Sequence, residues 1–108
     1  MSGPIVILVD ADACPVKDEV YKVAARHGLK TYVVANAPIA VPRDPSIERV
    51  LVGSGLNIAD DWIAVRAAPG TVVVTADIPL ADRAIKAGAD VLAPNGRAFT
   101  PDSIGMAL

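Results

Sequence analysis

Apolar and polar positions along the chain fall into alternating blocks of two kinds. Residues 4–10, "PIVILVD", form a short unbroken apolar run rich in β-branched side chains, the pattern of a strand covered on both faces in a parallel sheet. "PVKDEVYKVAARHG" (15–28) follows with Val16, Val20, Val23 and Ala24 at helical spacing, Pro15 at the first position, Asp18 and Glu19 in the first turn and Gly28 at the stop, so a helix is predicted there. Further strands are predicted over 29–35, 47–53, 71–77 and 89–94, and further helices over 57–68 and 79–88. The proline-containing stretch 36–46 reads as loop, which leaves strands 2 and 3 joined without a helix. "NGRAFTPDSIGMAL" reads as a loop leading into a helix that is cut short. Strand and helix alternate almost throughout. The pattern predicts a three-layer α/β/α domain with a mostly parallel five-stranded sheet, and a single domain over residues 1–108.

Composition narrows the class. Hydrophobic residues make up 53% and aromatics only 4%, so the core must be aliphatic. The net charge of −2 carries no basic footprint for nucleic acid, although bound divalent cations can invert a local sign. One cysteine, no basic apolar leader and no apolar run near the ~20 residues of a bilayer span are read as a cytoplasmic protein without membrane contact.

The chemistry concentrates at strand ends. Asp10 and Asp12 close strand 1, and Asp77 closes strand 4. Ligand sites of open parallel sheets lie outside the carboxyl ends of the strands, where strand order reverses. If strands 2 and 3 lie to one side of strand 1 and strands 4 and 5 to the other, Asp10 and Asp77 share one crevice. Asp60 or Asp61, from the helix before strand 4, and Asp82, one turn into the helix after it, can reach the same edge. Two carboxylates ~5 Å apart repel by about 3 kcal/mol at an effective dielectric near 20. Three or four together need protonation or a hard divalent cation, Mg²⁺ or Mn²⁺. Taken singly, each aspartate is equally well explained as a helix or turn cap.

The strings "VDADACP", "GLNIADDWI" and "VTADIPLADRAIKAGADVLAPNGRAFT" closely resemble the YaiI/YqxD family of uncharacterised bacterial proteins, a PIN-like group, over nearly the whole chain. In outline the wider PIN and flap-endonuclease superfamily is similar. That resemblance implies strand order 3-2-1-4-5 and a metal-dependent nuclease acting on RNA in preference to DNA. Carried over, it implies catalytic roles for Asp10, Asp60 and Asp77, and metal ligands drawn from Asp10, Asp12, Asp60, Asp61, Asp77 and Asp82. Thr75 is a candidate partner for a ligand carboxylate or a phosphate. Two departures stand out. Asn57 occupies a position where the family usually has Asp, which removes one charge, and the family usually continues in a Gly- and Ser-containing basic tail, relative to which the sequence ending at Leu108 is read as truncated.

Asn36, Asn57 and Arg97 are candidate substrate contacts, each also explained as a loop or surface residue. Cys14 reads as a small residue at a tight turn and His27 as a surface residue at a helix end. Trp62 is expected to pack in or beside the core. Two rival functions remain. One is a phosphatase of the haloacid dehalogenase type, with Asp10 as nucleophile, Asp12 as acid/base, and Thr75 and Lys86 in supporting roles. The other is a non-catalytic domain binding a nucleotide, RNA or a protein, with homo-oligomers also open.

Overall fold

The computed structural model describes residues 5–11, 17–36, 44–53, 58–94 and 97–100, with backbone alone for 17–19 and 23. In chain order these form β1 (Val6–Asp10), α1 (Lys17–His27), β2 (Lys30–Ala35), β3 (Ile47–Leu51), α2 (Ile58–Arg66), β4 (Thr71–Val74), α3 (Ile78–Lys86) and β5 (Asp90–Leu92). All five strands pair in parallel, in the order β3-β2-β1-β4-β5. This is the order implied for the sheet, and it makes β1 and β4 neighbours although 60 or more residues separate their paired positions, as in Val9 opposite Val74.

The two faces of the sheet bury different side chains because successive strand residues point to opposite sides. Leu8, Val34, Val73 and Val91 lie on one face with Ala59 and Ile63 of α2 and Leu80, Ala81 and Ala84 of α3. Ile7, Val9 and Val74 lie on the other with Ala24 of α1. Tyr21 of α1 joins Val33 and Ala35 there. The three-layer arrangement follows: α2 and α3 on one face, α1 on the opposite one. Val9, Val33, Val34, Val73, Ile63 and Leu80 are almost completely buried, so an aliphatic core does hold the domain together.

Local signals set the boundaries. Gly28 ends α1 with φ +63°, and Leu29 N–H donates back to Ala24 O at 2.9 Å. Gly88 repeats the device after α3, with φ +92° and Ala89 N–H donating to Ala84 O at 3.1 Å. Before β3 the Asp44 carboxylate accepts from Ser46 N–H at 2.8 Å and from Ser46 Oγ at 2.7 Å, and these bonds hold its carboxyl below the ordinary aspartate range. Predicted strand 4 was too long. It ends at Val74, because Thr75 to Asp77 turn into α3. After β5 the chain folds back, pairing Ala98 antiparallel to Leu92, in place of a plain loop. Among the described residues no helix is long and apolar enough to cross a membrane.

Candidate functional site

β1 brings Asp10 to the carboxyl edge of the sheet on the α2/α3 face, the face shared by Val6 and Leu8. Asp10 is only 3% exposed. A carboxylate this deep requires hydrogen-bond partners, since leaving it bare in an apolar setting is costly. One partner comes from the neighbouring strand. Thr75, completely buried just beyond β4, donates from Oγ1 to Asp10 Oδ2 at 2.8 Å. The same hydroxyl oxygen accepts from Asp77 N–H at 3.0 Å. Asp77 in turn caps α3, its Oδ1 accepting from Leu80 N–H at 2.9 Å, with Pro79 in the first turn. One hydroxyl therefore ties the end of β1 to the start of α3. The segment T-A-D carries this in sequence: Thr75 reaches sideways and Asp77 reaches forward along its own helix.

The other candidates are placed differently. Asp60 is half-buried in the first turn of α2. Asp61 is exposed and pairs with Arg83 Nη1 at 2.8 Å. Asp82 pairs with Lys86 Nζ at 2.8 Å, one turn along α3. Asn36 follows β2 and is exposed, two residues past Val34, the register partner of Asp10. Arg97 is exposed beyond β5, its carbonyl accepting from Ala93 N–H at 2.8 Å. Asp12, Cys14 and Asn57 lie outside the described residues. His27 is exposed in the last turn of α1. Trp62 packs against the α2/α3 core cluster.

Among the described residues, no three His, Cys, Asp or Glu side chains come close enough to hold a metal ion. The crowded carboxylate cluster expected at this edge is not formed among the described residues, and Asp12, one of its candidate members, lies outside them. The physical reason lies in the alternatives open to each side chain. Asp77 turns onto its own helix N-terminus, while Asp61 and Asp82 turn to basic residues on α3. What the geometry offers is a buried carboxylate and a capping carboxylate joined through one threonine. That donor set does not make an all-protein cage. It does suit Mg²⁺ or Mn²⁺, which are commonly held by one or two carboxylates together with water and phosphate oxygens.

Residues 10, 75 and 77 thus define a doubly wound α/β domain with an acidic group at the switch between β1 and β4, where such folds place ligands. The family model described as the uncharacterised YaiI/YqxD family matches residues 8–108, and the chain belongs to that family. A UPF0178 protein of Rhodopseudomonas palustris (strain BisB18) is 66% identical over 106 residues, covering 98% of this chain and 68% of that protein. A UPF0178 protein of Bradyrhizobium diazoefficiens is 65% identical over 105 residues, covering 97% of this chain and 63% of that protein. One from Caulobacter sp. (strain K31) is 65% identical over 103 residues, covering 95% and 68%. The chain spans about two thirds of the length of these relatives. No solved structure matches it.

Proposed function

We propose that the carboxyl edge around Asp10 is a phosphodiester-hydrolysing site that works with Mg²⁺ or Mn²⁺ on RNA in preference to DNA, as in PIN-like nucleases. The observation that carries this reading is the burial of Asp10 at the strand switch under a hydrogen bond from Thr75. A carboxylate is seldom kept so deep at a strand end for capping alone. Asp10 and the outer oxygen of Asp77 would hold the cation, with Asp60 and Asp12 as further candidate ligands. Bound there, the cation would supply positive charge for a phosphate and activate a water. Thr75 fixes the rotamer of Asp10 through Oδ2. Asp77 keeps one oxygen on Leu80 N–H and so presents the other in a fixed direction.

The test is cleavage of labelled single-stranded RNA and DNA by the purified protein with Mn²⁺ or Mg²⁺, beside Asp10→Asn and Asp77→Asn. Cleavage should need the cation and fall by at least about 100-fold in each variant, the size expected when charge stabilisation is lost from a catalytic site. Undiminished cleavage in both folded variants would remove the site from the reaction. A second reading, a non-catalytic binding domain, draws support from Asn57, which stands where the family usually carries an aspartate. Under that reading Mn²⁺ produces no thermal stabilisation and RNA is not cut.

A further inference from the structure

At the opposite end of the same sheet face, four side chains from two elements form a row. Lys30 Nζ of β2 sits 5.4 Å from the centre of the Tyr32 ring. Tyr32 meets Trp62 of α2 with ring centres 6.1 Å apart and planes tilted by 52°. The guanidinium carbon of Arg66 lies 3.7 Å from the centre of the Trp62 ring. Beside the row is a cavity of about 300 Å³ lined by Val6, Leu8, Tyr32, Trp62, Arg66 and Thr71. Register explains the grouping. Val6 lies opposite Lys30 and Thr71, and Leu8 opposite Tyr32, so the floor is the amino ends of β1, β2 and β4 while the last turn of α2 forms the roof.

Three features point to a ligand. The chain has only four aromatic side chains of the Phe, Trp and Tyr types, and its core is otherwise aliphatic. Two of the four stand half-buried at this cavity, where leucine would fill space equally well. Next, Arg66 makes no ion pair with a carboxylate among the described residues. It gives one hydrogen bond, from Nη1 to Trp62 O at 2.9 Å, out of the five N–H donors a guanidinium carries. Finally, Arg66 puts positive charge at one end of the aromatic pair in a chain of net charge −2, whereas Lys30 at the other end is shared with Glu48 Oε1 at 3.7 Å and Pro45 O at 3.2 Å. Ring edges and an apolar wall take a planar base, and an arginine fork on a stacked ring binds an oxyanion.

We infer that this groove binds a nucleotide, its base in the cavity beside Tyr32 and Trp62 and its phosphate on Arg66. The nucleotide is either free or one unit of a single strand. This site is separate from the acidic edge. Val6 lies four residue steps of β1 from Asp10, roughly 13 Å along a strand, and Leu8, which also lines the cavity, lies two steps away, roughly 7 Å. The inference therefore holds or fails without any metal chemistry at Asp10.

Trp62 is the only tryptophan in the chain, so its fluorescence reports the groove directly. The experiment titrates the full chain, in EDTA, with adenosine 5′-monophosphate, adenosine, inorganic phosphate and a short oligoadenylate. Saturable quenching by the monophosphate is expected, with adenosine weaker by roughly tenfold because the charge-assisted bond to Arg66 is lost. Arg66→Gln and Tyr32→Leu should each weaken the monophosphate by a similar factor, while Arg83→Gln, which removes a surface charge elsewhere, leaves it unchanged. Tighter quenching by the oligonucleotide than by the monophosphate assigns the groove to a strand, and equal quenching assigns it to the free nucleotide. No saturable response to either overturns the inference. So does an equal loss in Arg66→Gln and Arg83→Gln, which would make the effect one of net charge. Circular dichroism of each variant separates lost binding from lost folding.

Discussion

Thr75 Oγ1 and Asp10 Oδ2 are 2.8 Å apart, although 65 residues separate them in the chain. The bond crosses from β4 to β1 where the sheet reverses its order, and both residues are buried. It ties the two halves of the domain together at the carboxyl edge of the sheet.

Thr75→Val keeps the side chain's shape but removes the hydroxyl that serves both Asp10 and Asp77 N–H. A bond to a buried carboxylate contributes about 1.5–3 kcal/mol, and unfolding in urea should show a loss of that size. Thr75→Ser should recover most of it. Equal stability of the valine and serine variants would mean that the hydroxyl carries nothing.

Asp77 has two separable roles. Asp77→Ala loses the cap on Leu80 N–H and should cost about 1 kcal/mol, whereas Asp77→Ser keeps a capping oxygen and should cost only a few tenths. Thermal melts measure this. If Mn²⁺ stabilises the native protein but neither variant, the carboxylate serves the cation as well as the helix.

Thr31 is completely buried on the α1 side, and its hydroxyl has no hydrogen-bond partner among the described residues. Thr31→Val replaces a buried hydroxyl with a methyl group of the same shape. Stability should stay level or rise by about 1 kcal/mol, and a clear loss in chemical denaturation would reveal a partner for that oxygen.

Gly28 and Gly88 both have positive φ, but their surroundings differ. A Cβ on Gly28 would meet nothing within 4 Å, whereas one on Gly88 would lie 3.0 Å from Cγ of Pro69. Gly28→Ala should therefore cost about 1 kcal/mol for the backbone conformation alone. Gly88→Ala should cost more, since Pro69 must also shift. Parallel thermal melts of the two variants give the ranking directly.

Much of the fold was legible in the chain itself. The unbroken apolar runs "PIVILVD" and "TVVV" mark strands covered on both faces, and Pro and Gly at the ends of the helical stretches set their limits to within a few residues. That Asp10 and Asp77 lie at strand carboxyl ends was legible too, because a parallel sheet carries all such ends to one edge; that β1 and β4 are neighbours was implied by the family resemblance and is seen in the sheet. Pattern could not say which way each aspartate turns. Asp61 and Asp82 read like Asp10 in sequence, yet Arg83 and Lys86 lie within reach and take them. The row of Lys30, Tyr32, Trp62 and Arg66 left no mark in the sequence, since its members come from two elements that meet only when α2 crosses β2.

Hydrophobic periodicity is a property of neighbouring residues, and by itself it determined the elements and their succession along the chain. Side-chain pairing depends on distances between residues far apart in the chain. Only the tertiary structure could decide that Asp10 is buried under Thr75, that Asp77 caps a helix, and that two rings and Arg66 share one groove.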